Sequence, residues 1–173
     1  MRRRSHHLAA EVFTKRPVAV SLTLCATAGR RVFQDQRCAR AAVHVIGRIH
    51  GPDSRMLAFC VMPDHVHVIV LKRKHQMQSV VRQIKRETTQ ALWRLGVPRP
   101  LWQRGYYDHA IRRNEGLFKT IRYVLMNPVR AGLAEDWREY PWAGSFDWPE
   151  LDDAFLDDRV AENVVMGELL GTD

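Results

Sequence analysis

The most apolar strand-like run in the chain, MPDHVHVIVLK at residues 62–72, restricts the folds that this sequence can adopt. A strand that is apolar on both of its alternating faces needs cover on both sides, so this run predicts a central strand of a sheet. The run VAVSLTLCA at residues 18–26 has the same character. The sequence therefore predicts an α+β domain with these two strands at the centre of its sheet.

Periodicity and turn signals place the other elements around these two runs. Asp35 is a candidate N-cap and Gly51 a candidate stop for the first helix, and Asn114 is a candidate cap for the third. A bulge is expected at Gly105. The predicted strands are 18–26, 55–61, 65–71 and 101–112, and the predicted helices are 35–50, 76–95 and 114–127.

This order of elements matches a ferredoxin-like, split βαβ plan with an antiparallel central sheet and one added helix. The short turn at Pro63 and Asp64 joins the second and third strands into a hairpin. We divide the chain into a basic N-terminal arm at residues 1–14, a folded domain at 15–146 and an acidic tail at 147–173.

Charge is distributed unevenly along the 173 residues. The formal net charge is +8, yet nine of the 19 acidic residues lie in 147–173, where Arg159 is the only basic residue. That segment has a net charge of −8, and residues 1–146 therefore have a net charge of +16. A body this basic favours a polyanion partner, and we rank nucleic-acid binding above a charged surface without a specific partner.

Other features bear on the compartment. Cys25, Cys38 and Cys60 are dispersed and odd in number, so they indicate no disulfide framework. No segment reaches transmembrane length, and the basic N-terminus is not followed by a long apolar stretch. We expect a cytoplasmic, nucleoid-associated protein that does not bind membranes.

The candidate chemistry begins with His65 and His67, which share one face of the predicted third strand. Imidazole binds divalent metals, and two imidazoles on one strand make half of a metal site. A bare H-x-H is more often structural, so a partner elsewhere in the chain is needed. Asp64 could orient a histidine or simply form the turn. His109 is a weaker candidate for the same site.

Tyr123 lies on the third predicted helix, on the face away from its apolar side. At 100° per residue, Tyr123 lies roughly 150° from the centre of the apolar cluster and shares its face with Lys119 and Asn127. This placement also fits an ordinary surface tyrosine, and Asn127, which precedes Pro128, could simply end the helix. The predicted buried positions are Leu117, Ile121, Val124 and Leu125.

Four segments occur in order along the chain: PDHVHVIV, GYYDHAIR, YVLMNPVRAGL and EYPWAGS. Over about residues 15–146 the sequence resembles the REP-associated tyrosine transposases, which belong to the HUH single-tyrosine nucleases. The resemblance implies that His65 and His67 bind a metal and that Tyr123 is the nucleophile. It also implies Asn127 as a third ligand, although related insertion-sequence transposases have glutamine there. Mg²⁺ or Mn²⁺ is the implied metal.

The implied activity is metal-dependent cleavage and strand transfer of single-stranded DNA, through a tyrosine that takes the 5′ phosphate and frees a 3′-OH. The implied substrates are hairpins of repetitive extragenic palindromes (REP), and the protein would be a monomer or homodimer. Two alternatives remain: a non-catalytic single-stranded DNA- or RNA-binding protein on the same scaffold, and a zinc-dependent hydrolase. The candidate DNA contacts are Arg82, Lys85, Arg86, Lys119, Arg122, Tyr106 and Tyr107, although the two tyrosines could also pack in the core.

Overall fold

A computed structural model describes residues 18–72, 77–111 and 116–152 together with Gly167. The predicted N-terminal arm and most of the acidic tail lie outside these ranges. The elements within them are β1 Val18–Cys25, α1 Gln36–Ile49, β2 Ser54–Met62, β3 His65–Lys72, α2 Met77–Arg94, β4 Tyr107–Ala110, α3 Leu117–Leu125, α4 Asn127–Arg130 and β5 Ala143–Gly144.

The five strands form one antiparallel sheet in the order β4-β1-β3-β2-β5. The order of β1 to β4 is that of the ferredoxin-like split βαβ plan, and β5 adds a two-residue edge strand beside β2. The runs that are apolar on both faces, β1 and β3, lie in the interior of the sheet as predicted, and β3 is its central strand.

Helices cover both faces of the sheet and create two cores. Val66, Val68 and Val70 of β3 face a core that α1 and α2 cover. Ile69 and Leu71 face a second core that α3 covers. Because side chains alternate along a strand, His65 and His67 lie on the same face as Ile69 and Leu71. The fold therefore places the paired histidines on the face that carries the helix with Tyr123.

Asp35 caps α1 as predicted. Its carboxylate accepts a hydrogen bond from the backbone N–H of Arg37 at 2.9 Å, which satisfies one of the unpaired donors of the first turn. The helix ends at Ile49, where His50 is the C-cap, so the predicted stop at Gly51 is one residue late.

The prediction of a strand over 101–112 is wrong in its extent, because β4 covers only four residues. Trp102 pairs with Ala26, and Tyr107 pairs with Thr23. The segment from Trp102 to Tyr107 is therefore two residues longer than the segment it lies beside, which shifts the register by two. The irregular segment contains Gly105 at the predicted bulge, where a φ of +75° favours glycine.

The third predicted helix is divided in two. Helix α3 begins at Leu117 with Gly116 as its N-cap, and the proposed cap Asn114 lies outside the described residues. It ends at Leu125, and residues Asn127–Arg130 form the separate turn α4. Pro128 lies in the first turn of α4, where a missing N–H costs little, so this proline begins a helix and does not close one.

The first residues of the predicted acidic tail contact the folded body. Arg55 of β2 forms a partly buried ion pair with Asp147, with 2.6 Å between Nη2 and Oδ1. The Trp148 ring meets the Phe118 ring edge-on at a centroid distance of 5.9 Å, and Leu151 is buried in the second core. Packing therefore continues through Leu151, five residues beyond position 146.

A comparison of two shortened chains tests this packing. A chain ending at Phe146 loses the Arg55–Asp147 pair and the buried Leu151, whereas a chain ending at Leu151 keeps both. Removing a buried leucine side chain alone costs about 2–5 kcal/mol. We expect the shorter chain to have a free energy of unfolding lower by at least about 2 kcal/mol in urea denaturation. Equal unfolding midpoints would show that residues 147–151 add nothing to the core.

Candidate active site

The imidazoles of His65 and His67 converge at the start of β3. Their Nε2 atoms are 3.0 Å apart, and the two rings are perpendicular. The other nitrogen of each ring has its own partner. His65 Nδ1 lies 2.7 Å from Asp64 Oδ1, and His67 Nδ1 lies 3.0 Å from Thr23 Oγ1 on the neighbouring strand. These two contacts fix the ring orientations and direct both Nε2 atoms to one point.

Thr23 permits two protonation patterns at this point, because a hydroxyl both donates and accepts. If it donates to His67 Nδ1, then His67 Nε2 carries the proton and can hydrogen-bond to His65 Nε2. If it accepts from His67 Nδ1, both Nε2 lone pairs are available to a ligand. Asp64 favours the proton on His65 Nδ1 in either case. The two imidazoles can therefore hydrogen-bond to each other, or both can present a lone pair to a cation with the rings in the same positions.

Burial keeps His67 uncharged. It lowers the pKa of His67 to about 3, and the nearby positive charges of His65 and Arg130 act in the same direction. A neutral imidazole is the form that binds metal, so this environment favours a ligand role near neutral pH.

The distances fit a small divalent ion. Two nitrogens about 2.1 Å from one ion and at right angles to each other are about 3.0 Å apart, which suits adjacent positions of an octahedron. A carboxylate or hydroxyl on the far nitrogen of each ring is the usual support for metal-binding histidine. Where the chain is described, no group of three histidine, cysteine or acidic side chains gathers around such an ion. Further ligands would therefore be amide, water or phosphate oxygens.

Cys60 does not change this conclusion, although it pairs with His67 across β2 and β3. Burial raises the pKa of its thiol to about 12, and metals bind the thiolate. The described site therefore offers a metal ion two imidazoles and no thiolate.

Tyr123 projects from the solvent side of α3 with 59% of its surface exposed. The predicted inward positions Leu117, Ile121, Val124 and Leu125 are all buried, so the helical-face prediction is confirmed. The guanidinium of Arg130 lies over the Tyr123 ring, with 4.1 Å from Cζ to the ring centroid. Its Nη2 also donates to the Tyr123 carbonyl at 2.6 Å.

Arg130 is a residue that our sequence reasoning missed. Its guanidinium lies over the Tyr123 ring, and its positive charge also acts to lower the pKa of His67. A sequence signal was present, because Tyr123, Asn127 and Arg130 follow one another at intervals of four and three residues. The break between α3 and α4 did not disturb this common face.

The side chain of Asn127 caps the end of α3. Its Nδ2 donates to the carbonyls of Tyr123 and Val124 at 3.1 and 3.0 Å, which satisfies acceptors that a helix end leaves unpaired. Its Oδ1 has no hydrogen-bond partner among the residues that are described. Capping and metal binding are compatible here, because the cap uses the amide nitrogen and leaves the oxygen.

Tyr107 is the first residue of β4 and Tyr106 directly precedes it, and the two side chains lie on opposite sides of the sheet. Tyr107 pairs with Thr23, which in turn pairs with His67, so it lies in the same row two strand spacings away, about 10 Å. It is 49% exposed and lies on the histidine face of the sheet. Tyr106 packs against the core of α1 and α2, and burial raises its pKa. His109 is exposed on the same face as Tyr107.

The basic residues proposed to contact DNA also divide between the two faces. Lys119 is exposed and Arg122 partly exposed on α3. Arg82 and Arg86 are exposed on α2, on the far side of the sheet from the histidines. The Lys85 ammonium instead donates to the carbonyls of Gln103 and Gly105, so it supports the loop before β4. An open groove of about 690 Å³ lies beside it, lined by Lys85, Arg86, Thr89, Gln90 and residues 99–104.

Comparison with known protein families matches residues 16–125 to the IS200-like transposase family. A Haemophilus influenzae protein, named as a candidate REP-associated tyrosine transposase, is 25% identical over 99 residues, which are 50% of this chain and 56% of that protein. The REP-associated tyrosine transposase of Escherichia coli K12 is 28% identical over 88 residues, 50% of this chain and 51% of that one. The chain thus spans about half the length of the curated relatives it matches.

One solved structure, of a REP-associated tyrosine transposase bound to a REP hairpin, resembles this chain with a TM-score of 0.60. The likeness covers 94% of this chain and 96% of the other at 20% identity, and at that identity it shows a shared fold. No helix in the described part of the chain is long and apolar enough to cross a membrane.

The carboxylate beside His65 gives a test of the cation site. Asp64→Asn keeps the side-chain shape but removes the charge that orients His65, so we expect Mn²⁺ affinity to fall about tenfold. Titration calorimetry measures this directly. Asp136→Asn, which removes the same charge at an acid paired with Arg138, should keep the original affinity. An equal loss of Mn²⁺ affinity in the two variants would show that the effect comes from net charge and not from the contact with His65.

Proposed function

The chain belongs to the IS200-like transposase family, and from this premise we propose that it cuts and rejoins single-stranded DNA through a covalent bond to Tyr123. The observation that supports this best is the convergence of His65 and His67 on the sheet face covered by the helix that carries Tyr123. REP hairpins are the proposed substrate, by analogy with the relatives named above.

In the proposed reaction the Tyr123 hydroxyl oxygen attacks the scissile phosphorus. A new bond forms between Oη and phosphorus, the bond from phosphorus to O3′ breaks, and the 5′ phosphate stays on the tyrosine. The phenol proton passes to solvent, and the departing O3′ takes up a proton to become a 3′-OH. Because the phosphodiester energy is kept in the phosphotyrosine, a second 3′-OH can reverse the step and join another strand.

The residues that would hold a divalent cation are His65, His67 and, through its Oδ1, Asn127. A bound Mg²⁺ or Mn²⁺ would polarise the phosphate and offset the charge that develops on its oxygens. The exposed Tyr123 gives a DNA strand access to the nucleophile. Asp64 and Thr23 hold the two rings in these orientations before DNA arrives.

DNA binding would rest mainly on phosphate contacts by the basic body. Lys119 lies on the Tyr123 face and is suited to contact DNA near the cleaved bond. Arg82 and Arg86 lie on the opposite face, so their proposed contacts would be to a more distant part of a hairpin. We expect those two arginines to affect affinity and its salt dependence more than the rate of cleavage.

Replacement of the nucleophile tests the activity. Tyr123→Phe removes one oxygen and keeps the ring under Arg130, so fold and DNA affinity should be nearly unchanged. We expect the covalent protein–DNA adduct, seen as a band that resists denaturation, to fall below about one thousandth of its original yield. Tyr140→Phe is the matched control, since it loses a hydroxyl that donates to the Val61 carbonyl and has no part in the proposed reaction.

The result also separates the alternatives. An adduct that persists in Tyr123→Phe and maps to Tyr106 or Tyr107 would assign the nucleophile to the strand. If the original protein binds hairpin DNA or RNA but never forms an adduct, the non-catalytic binding protein is the better description. Cleavage without a covalent adduct would point to a hydrolase.

The histidine pair has a separate test. The double variant His65→Ala, His67→Ala removes both ring nitrogens that converge on the proposed cation, so cleavage should be lost. DNA affinity should change less than about threefold, because binding rests on phosphate contacts elsewhere. Adduct assays with and without added Mn²⁺ and a DNA-binding titration measure the two quantities. Undiminished cleavage by the double variant would remove the histidines from the mechanism.

A further inference from the structure

Arg130 contacts the proposed nucleophile in two ways. Its guanidinium lies over the Tyr123 ring, and its Nη2 donates to the Tyr123 carbonyl. The side chain is exposed, so these contacts hold it at the surface beside the ring and not in the core. These two contacts keep the guanidinium beside the ring of the proposed nucleophile.

Among the described residues no carboxylate forms an ion pair with Arg130. Arg138 makes a useful contrast, because it also lies over an aromatic ring, 5.1 Å from the centroid of Trp137, but pairs with Asp136 at 2.6 Å. A guanidinium that lies over the ring of the proposed nucleophile, with no carboxylate partner among the described residues, is a site for an anion.

A helix-capping role explains little of this arrangement. The Tyr123 carbonyl already accepts a hydrogen bond from Asn127 Nδ2, so the bond from Arg130 duplicates a cap. An exposed cation–π contact contributes little to stability. The fold therefore has little need of Arg130, and substitutions there should leave a folded protein.

We propose that Arg130 binds a non-bridging oxygen of the scissile phosphate and holds the Tyr123 ring for in-line attack. This inference rests on the proposed function and adds a residue to it. One N–H of Nη2 stays on the Tyr123 carbonyl, and the remaining donors of the planar fork face the phosphate. Donors fixed in place before the reaction stabilise the charge that grows on the phosphate oxygens as Oη approaches.

The test measures the rate of adduct formation at saturating hairpin DNA and, separately, the DNA dissociation constant, both with Mn²⁺ present. Arg130→Ala should lower the rate about 100-fold, the usual cost of losing one such donor, and change the dissociation constant less than about fivefold. Arg130→Lys keeps the charge but not the fork, so it should recover part of the rate. Added guanidinium ion at constant ionic strength should raise the rate of Arg130→Ala and leave Tyr123→Phe inactive.

Arg138→Ala is the control, because it removes a stacked guanidinium whose charge is already paired, and its rate should stay within about threefold of the original. An adduct rate for Arg130→Ala within about threefold of the original overturns the inference. A variant that binds DNA more weakly but forms the adduct at the original rate also overturns it. An equal fall in the adduct rate of Arg138→Ala does so as well. Arg130→Ala could also unfold at a lower temperature than the original protein. If in that case neither the Arg130→Lys variant nor added guanidinium restores any of the rate, Arg130 has a structural role and the inference is overturned. Absence of any adduct with the unaltered protein would instead count against the proposed function.

Discussion

The antiparallel pairing of β3 with both of its neighbours determines where the chemistry can lie. Side chains along a strand alternate, so the register that buries Val66, Val68 and Val70 under α1 and α2 must turn His65 and His67 to the other face. A slip of one residue would bury both imidazoles in the wrong core. The same register brings Thr23 beside His67. The same register therefore determines both how the central strand packs and which way the candidate metal ligands point.

Partial burial then gives this pair its chemical character. Removing His67 from water disfavours the imidazolium, which keeps a lone pair available, while Asp64 and Thr23 hold the rings in place. The imidazole of His67 is uncharged and cannot balance a phosphate. Positive charge would come from a cation beside the pair, from Arg130 beside Tyr123 or from Lys119 on the same helix face. The proposed site thus combines candidate ligands on a strand with charged groups on the exposed side of a helix.

The two faces of the sheet carry different properties. The side of the sheet that α3 covers carries the histidines, Tyr123 and Lys119. The exposed side chain of Tyr107 lies on the same side. The α2 face carries Arg82 and Arg86 beside an open groove. Among the described residues, basic side chains therefore lie on both sides of the sheet and not only at the proposed site of cleavage. Substitutions can therefore alter DNA affinity and cleavage separately, because the residues proposed for distant DNA contacts and those proposed for cleavage lie on opposite sides of the sheet.

Local pattern alone determined the order of elements, the central position of β1 and β3, the cap at Asp35 and the outward face of Tyr123. Each of these follows from residue spacing within one segment, where period and turn chemistry act directly. Tertiary structure decided the rest. It shortened β4 through a two-residue shift at Gly105, carried packing past residue 146 to Leu151 and assigned Lys85 to loop carbonyls. It also brought Thr23 beside His67. Such contacts join residues far apart in the chain, and their distances depend on how the layers pack, which no local spacing encodes.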